Sequence, residues 1–274
     1  MGCVNALGDR IKSIGAESVV EGKCILYLMS RDQRVAFNHA LLAAQQEALE
    51  RQLPLVVLFN LQEAMGVRLV EQYQFMLNGL KTVEIKLSQL RIPLIIIAPE
   101  QNLLKIINSL QPASLYLDFS PLKGTLNFRQ KLVKHLSCAL KLVDTHNSIP
   151  CWIVSDKQEY NAYFFRRKHQ LLQEKFLIRP AEIIKHPFEF SEIDLSEFGT
   201  PALSWPELSK QLTATSNHTD LSGLLPGEEA AQKTLTAFIN NKLLYYSSDR
   251  RATKHRFQDR VGAFILQIST PTLQ

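Results

Sequence analysis

The sequence predicts an α/β fold with a doubly wound, five-stranded parallel sheet. Short apolar runs alternate with helical patterns along residues 24–143, and this alternation is typical of β-α-β units. The runs are also almost continuously apolar, as expected of strands that are buried on both faces of a sheet. Right-handed crossovers would then place helices on both faces of the sheet.

The predicted strands and helices follow one another regularly. The strands are Cys24–Met29, Leu55–Phe59, Leu94–Ala98, Leu115–Asp118 and Ala139–Val143. Four helices are predicted between them, either from their Ala, Leu, Gln and Glu content or from apolar residues spaced three and four apart. These helices are Asn38–Arg51, Arg68–Leu90, Asn102–Leu110 and Leu126–Leu136.

The regular alternation stops after Asp144, and the composition then divides the chain. A helix is predicted over Gln158–Phe176, and residues 177–227 hold most of the later Pro and Gly with little periodicity. A stretch of that length is typical of a connection between domains. The expected units are a tail over residues 1–22, an α/β domain over residues 23–176, a connection over residues 177–227 and a second, helical unit over residues 228–274.

Composition and charge exclude several classes of protein. No apolar run approaches the roughly 18 residues of a membrane span, and residues 1–22 lack the apolar core of a secretory signal. Four widely spaced cysteines without a CxxC pair predict no metal site and a reducing, cytoplasmic compartment. Residues 241–260 hold six basic and two acidic residues. This cluster either attracts polyanions or forms a solvated helix end.

Sequence motifs also exclude the common nucleotide-binding and hydrolytic sites, because the chain has no GxGxxG, GxxxxGK[ST], GxSxG or HExxH. Polar residues instead follow three predicted strands. These are Ser30-Arg31-Asp32, Asp118-Phe119-Ser120 and Asp144-Thr145-His146. They lie where parallel sheets bind ligands. Alternatively, the aspartates cap turns and the arginines at 31 and 34 pair with nearby acids.

Four blocks of sequence carry a more specific signal. They are Leu26–Arg34 with Asn38–Gln45, Leu115–Leu122, Val143–Tyr160 and Ile184–Pro187. In order and spacing, they resemble the class II cyclobutane pyrimidine dimer photolyases of the photolyase/cryptochrome family. The third block is the most specific, since it repeats the family pattern over some fifteen ordered positions. The resemblance covers about Lys23 to Arg250.

The resemblance implies an α/β antenna domain followed by an all-helical domain that binds FAD. In this family, excited and fully reduced FAD gives an electron to a pyrimidine dimer in UV-damaged DNA, and the cyclobutane ring splits. The implied activity is therefore that of a light-driven carbon–carbon lyase in DNA repair. The antenna domain of the family can hold a second chromophore, either a deazaflavin or a folate.

Two site residues follow from the resemblance of Phe238–Arg250 to the first helix of the flavin domain. Tyr246 matches a tyrosine that contacts FAD. Arg250 matches an arginine on the lesion-facing surface, where a guanidinium can clamp a DNA phosphate. The structural alternatives are a helix-end aromatic side chain that packs on the core and a solvated charge.

After Arg250 the sequence departs from the family pattern. Residues 251–274 lack the Asn-Asp-Pro turn and the Thr/Ser-rich segment that binds the flavin phosphates. We therefore expect a chain that is truncated within its flavin domain, binds FAD weakly or not at all, and is inactive alone. The alternative is a non-catalytic α/β module that binds a chromophore or a partner. Its exposed domain interface would favour self-association.

Overall fold

The computed structural model describes residues 6–15, 21–61, 70–98, 102–157, 159–190 and 224–246. The strands are β1 Ile11–Ile14, β2 Cys24–Met29, β3 Leu55–Asn60, β4 Leu94–Ile97, β5 Pro112–Asp118 and β6 Ala139–Val143. They form one sheet in the order β1-β6-β5-β2-β3-β4. Strands β2 to β6 pair in parallel, which confirms the predicted α/β class and its five parallel strands.

Helices pack on both faces of this sheet. The helices that position the site are α1 His39–Glu50, α2 Val70–Gln89, α3 Leu103–Leu110, α4 Lys123–His135, α5 Cys151–Val154, α6 Ala162–Phe176 and α7 Glu228–Asn241. A 3-10 turn, Leu243–Tyr245, follows α7. Alternate residues of β2 enter two separate cores, since Ile25 and Tyr27 pack with α1 and α2 while Leu26 and Leu28 pack with α3 and α4. The sheet is therefore doubly wound.

One edge of the sheet differs from the prediction. Residues 11–14, within the expected tail, form the short strand β1, which pairs antiparallel with β6 from Ile11 opposite Val143 to Ile14 opposite Leu140. The described sheet is therefore six-stranded and mixed rather than five-stranded and parallel. The strand is only four residues long and has two polar members, so its pattern gives no local signal. It is formed through a partner that lies far away in sequence.

Asparagine side chains set the start of several helices. Asn38 accepts a hydrogen bond from the amide of Leu41, and Asn161 accepts one from the amide of Tyr163. Such caps satisfy amides that have no partner within the helix. Helix α1 therefore begins one residue after Asn38, where it was predicted. Helix α6 begins at Ala162, later than the predicted start at residue 158, which lies outside the described residues.

Part of the expected connection is bound to the α/β domain. The Gln45 side chain forms two hydrogen bonds with the backbone of Ile184, at 2.7 and 3.0 Å. The His186 amide donates to the Leu90 carbonyl at 2.8 Å, and its ring Nε2 lies 2.9 Å from the Leu53 carbonyl. The ring contact accounts for a histidine at position 186. These contacts fix the chain against the ends of α1 and α2.

Among the helices of the described residues, none is both long and apolar enough to cross a membrane.

Candidate functional site

The loops after β2, β5 and β6 meet at the carboxyl edge of the sheet. The strand order reverses between β2 and β5, because β3 and β4 continue on one side and β6 on the other. In sheets of this type, a crevice opens at the reversal and ligands bind there. The three polar segments predicted from the sequence follow these three strands. The topology therefore brings them together.

Asp118 connects the loop after β2 to the end of β5. Its Oδ2 accepts hydrogen bonds from the amides of Ser30 and Arg31 at 2.8 Å each and from the amide of Asp32 at 3.2 Å. Its Oδ1 accepts from the Tyr27 hydroxyl at 2.8 Å. A carboxylate bound by several amides is a strong acceptor. Asp118 therefore has a structural role, across the sheet rather than within its own turn.

Asp32 lies beside this carboxylate and is almost completely buried. Its side chain is 1% exposed, and its Oδ1 lies 2.6 Å from the Arg34 guanidinium. Burial, with a further contribution from the Asp118 charge, raises the pKa of Asp32 to about 6, although Arg34 opposes the shift. Its Oδ2 has no hydrogen-bond partner among the described residues. A buried acceptor of this kind is costly unless something donates to it.

Three arginines and two histidines give this edge its electrostatic character. Burial, together with the charges of Arg10 and Arg34, lowers the pKa of His39 to about 3. Burial and the charges of Arg31 and Arg34 lower the pKa of His146. Both imidazoles are therefore neutral at neutral pH and can donate or accept hydrogen bonds. The guanidinium groups provide the positive charge.

Asp144 organises the third loop from within its own turn. Its carboxylate accepts hydrogen bonds from the amide and side chain of Asn147 and from the amide of Cys151. Arg10 donates to the carbonyls of Asp144, Asn147 and Ser148. The predicted capping role therefore holds for Asp144. The loop is fixed from the side of β1.

Trp152 and Phe119 close the edge next to that loop. Their rings meet edge to face with centroids 5.3 Å apart. The Trp152 indole donates to the Asp9 carbonyl at 2.9 Å. The tryptophan thus packs between Phe119 and the backbone before β1.

The match to known families falls on these same elements. A family model described as DNA photolyase matches residues 25–188, which is more than half of the chain and includes strands β3 to β6 and all of β2 except Cys24.

The chain belongs to the DNA photolyase family.

Individual photolyases support this assignment. The deoxyribodipyrimidine photo-lyase of Potorous tridactylus is 34% identical over 234 residues, covering 84% of this chain and 43% of that protein. The photolyase of Arabidopsis thaliana, with the same name, is 28% identical over 82% of this chain and 47% of its own length. The chain spans about half the length of the curated relatives that it matches.

A solved photolyase shares the fold. The crystal structure of a bacterial class III photolyase from Agrobacterium tumefaciens matches with a TM-score of 0.51 at 17% identity. The match covers 83% of this chain and 46% of that protein.

The structure describes one of the two photolyase site residues that were predicted on the helical unit. Tyr246 is half-buried after the 3-10 turn, and its ring meets Phe238 edge to face at 5.7 Å. Arg250 lies outside the described residues. No described side chain of α7 is buried, so this part of the chain does not by itself enclose an isoalloxazine ring. The described residues therefore do not fit FAD.

A second chromophore fits the carboxyl edge better. The buried Oδ2 of Asp32 needs a donor, and the neutral imidazoles of His39 and His146 offer both donor and acceptor positions. Arg31 and Arg34 would attract an anionic group. A planar, hydrogen-bonding, anionic molecule would match this set. The described residues contain no group of three or more His, Cys, Asp or Glu side chains that could hold a metal ion.

Helix α7 contacts the photolyase α/β domain through its first turn. The Glu228 carboxylate accepts hydrogen bonds from the amides of Val35 and Ala36 at 3.1 and 3.2 Å and lies 3.6 Å from the Lys86 ammonium. A cavity of about 350 Å³ lies beside this contact. Its lining includes residues 35–38, residues 179–183 and part of α2. Sequence reasoning missed this contact, since acids in a first helical turn are common without any partner.

Proposed function

We propose that the chain provides the α/β antenna domain of a class II cyclobutane pyrimidine dimer photolyase. The observation that carries this proposal is the family match over residues 25–188. The Val143–Tyr160 block supports the class assignment. The proposed activity of the whole enzyme is light-driven repair of UV-damaged DNA. FAD, when bound, supplies the photochemistry of that repair.

The proposed role of the carboxyl edge is to bind the second chromophore. Asp118 and Asp144 fix the loops, while Asp32, His39 and His146 would serve as the hydrogen-bonding groups of the site. Arg31 and Arg34 compensate negative charge. Helix α1 begins at the same place, and its Ala40 amide donates to the Thr145 hydroxyl at 3.0 Å. The site is therefore held by three strands and a helix start, and such rigid support favours specific binding.

Absorbance spectroscopy tests this role. The purified chain is mixed with a deazaflavin, with a folate or with FAD, passed through a gel-filtration column and scanned from 300 to 550 nm. We expect one antenna chromophore to remain bound, and His146→Ala to weaken its retention. His135→Ala is the matched control, because His135 is an exposed histidine at the end of α4. A blank spectrum with all three compounds would refute the antenna role.

Binding of FAD and of damaged DNA requires parts of the protein other than the carboxyl edge. We propose that Tyr246 and Arg250 contact them in an assembled flavin domain, and that the described residues alone retain no FAD. The test combines the FAD arm of the spectroscopic experiment with a dimer-repair assay under blue light. We expect neither retained flavin nor repair by this chain alone. Stoichiometric flavin after gel filtration, or light-dependent repair, would contradict this expectation.

The second candidate function is a non-catalytic α/β module that binds a chromophore or a partner. It is favoured by the fact that the described residues of the carboxyl edge all lie within the α/β domain, none of them after Trp152. In this case the chain would bind a chromophore without taking part in DNA repair. It would also self-associate through exposed apolar surface. Sedimentation velocity across a range of protein concentrations measures this association. A monomer without a bound chromophore would exclude the module.

We further propose a cytoplasmic location. Cys24, Cys138 and Cys151 are free thiols in the described part of the chain, as expected in a reducing compartment. Localisation of a fluorescently tagged chain checks this assignment.

A further inference from the structure

Four aromatic side chains are exposed to solvent around the start of α6. Their exposed fractions are 90% for Tyr160, 62% for Tyr163, 56% for Phe164 and 43% for Phe165. Clustered apolar exposure of this kind marks an interaction surface, whereas single exposed apolar residues are ordinary. We call the four aromatic residues, together with Arg166 and Arg167, the α6 surface.

Contacts at the carboxyl end of α6 anchor this helix to the rest of the described chain. Phe176 is only 3% exposed, and the charged groups of Arg10 and Lys175 lie 5.6 and 5.4 Å from its ring centre. Lys175 also pairs with Asp9, and His169 contacts the Ser148 hydroxyl. The carboxyl end of α6 is therefore fixed, and the exposed aromatic rings around its start are available for another molecule.

The α6 surface is positively charged. Arg166 and Arg167 are exposed, and neither forms an ion pair with a carboxylate of the described residues. The nearest acid in the preceding segment, Glu159, is already bound by Lys168 and by the Ser155 hydroxyl. The two guanidinium groups are therefore available to an anion from outside the protein.

We propose that the α6 surface binds single-stranded nucleic acid. Unpaired bases present flat faces that stack on exposed aromatic rings, and arginines bind the phosphates between them. An acidic peptide would use the arginines but not four aromatic faces. A membrane surface would require an apolar stripe along one side of the helix. Residues 163–165 instead span roughly 200° of the helix circumference.

This inference goes beyond the photolyase proposal and is independent of it. Binding at the α6 surface requires neither flavin, nor light, nor a pyrimidine dimer. It also differs from the lesion contact proposed for Arg250, because the α6 surface lies in the N-terminal α/β part of the chain. The two proposals can therefore fail separately.

Fluorescence anisotropy in the dark tests the inference on the full chain. The probe is a fluorescein-labelled oligothymidylate of about 20 nucleotides, long enough to span several stacking sites. Tyr160→Ala and Phe164→Ala are each expected to weaken binding by about fivefold or more. Arg167→Ala should reduce the slope of log affinity against log salt concentration by about 0.7. Leu171→Ala and Lys131→Ala are the matched controls, since they remove an exposed apolar side chain from α6 and an exposed cation from α4.

Each outcome supports or overturns the proposal. Weaker binding in the three variants with unchanged controls supports it, provided that circular dichroism shows the same fold. The proposal is overturned if the wild-type chain does not bind, or if binding survives all three substitutions, as the basic cluster at residues 241–260 alone would allow. An equal loss in Leu171→Ala would overturn it too, as would sedimentation with phosphatidylserine vesicles in the absence of oligonucleotide binding.

Discussion

Replacing Asp118 by Asn should destabilise the domain by about 3 kcal/mol at pH 5. The carboxylate Oδ2 accepts three backbone amides, from Ser30, Arg31 and Asp32. A hydrogen bond to a charged acceptor contributes about 1 kcal/mol more than one to a neutral acceptor, so three bonds give about 3 kcal/mol. At pH 8 we expect the substitution to cause a smaller loss of unfolding free energy. Asp32 is then ionised, and the substitution also removes a neighbouring negative charge.

Urea denaturation followed by circular dichroism measures this effect at both pH values. Tyr27→Phe is the reference substitution with which the effect of Asp118→Asn is compared. It removes only the hydroxyl that donates to Asp118 and accepts from Asn38. Its expected cost is about 1 kcal/mol. If the unfolding free energy of Asp118→Asn stays within 1 kcal/mol of the wild type at pH 5 with an unchanged denaturant slope, the proposed role of the three amides is wrong.

Three further predictions concern the same domain. Burial and Asp118 raise the folded-state pKa of Asp32 to about 6, so the contribution of Asp32 to stability falls as pH rises from about 4 through 6. Relative to the wild type, Asp32→Asn should therefore gain up to about 3 kcal/mol between pH 4 and 7 by linkage; a difference independent of pH in denaturation curves would contradict this. Gly22→Ala should lower the melting temperature, because its new Cβ would lie 2.2 Å from the Ala113 nitrogen. Gly124→Ala, with nothing within 4 Å, should not lower it. A thiol reagent at pH 8 should modify exposed Cys151 before Cys24, whose pKa burial raises to about 12; peptide mapping that finds the reverse order would refute this.

The parallel strands and helix α1 could be predicted because their signals are local. Five apolar runs are long enough to stand out, and Asn38 marks the start of α1 within one residue. Strand β1 could not be predicted, since a four-residue segment with two polar members has no distinctive pattern and depends on pairing with β6. A local sequence pattern predicts a strand or a helix only when buried positions recur regularly along it.

The site was predictable to a similar extent. Topology alone places Ser30-Arg31-Asp32 and Asp118 at the same edge of the sheet. It does not reveal that Asp118 binds the neighbouring loop while an oxygen of Asp32 has no partner among the described residues, because those facts depend on side-chain geometry. The role of Tyr246 came from family resemblance and stays a prediction. Its contact with Phe238 could not be read from spacing alone.

The position of β1 affects the order in which the sheet can form during synthesis. It is the first described strand to leave the ribosome, and its partner β6 is the last. At about 5–20 residues per second, roughly 6 to 25 s separate Ile14 from Leu140. The outer edge of the sheet therefore closes only after every other described strand has been made. A circular permutation that places residues 6–15 directly after β6 would convert this final non-local step into the closure of a short hairpin.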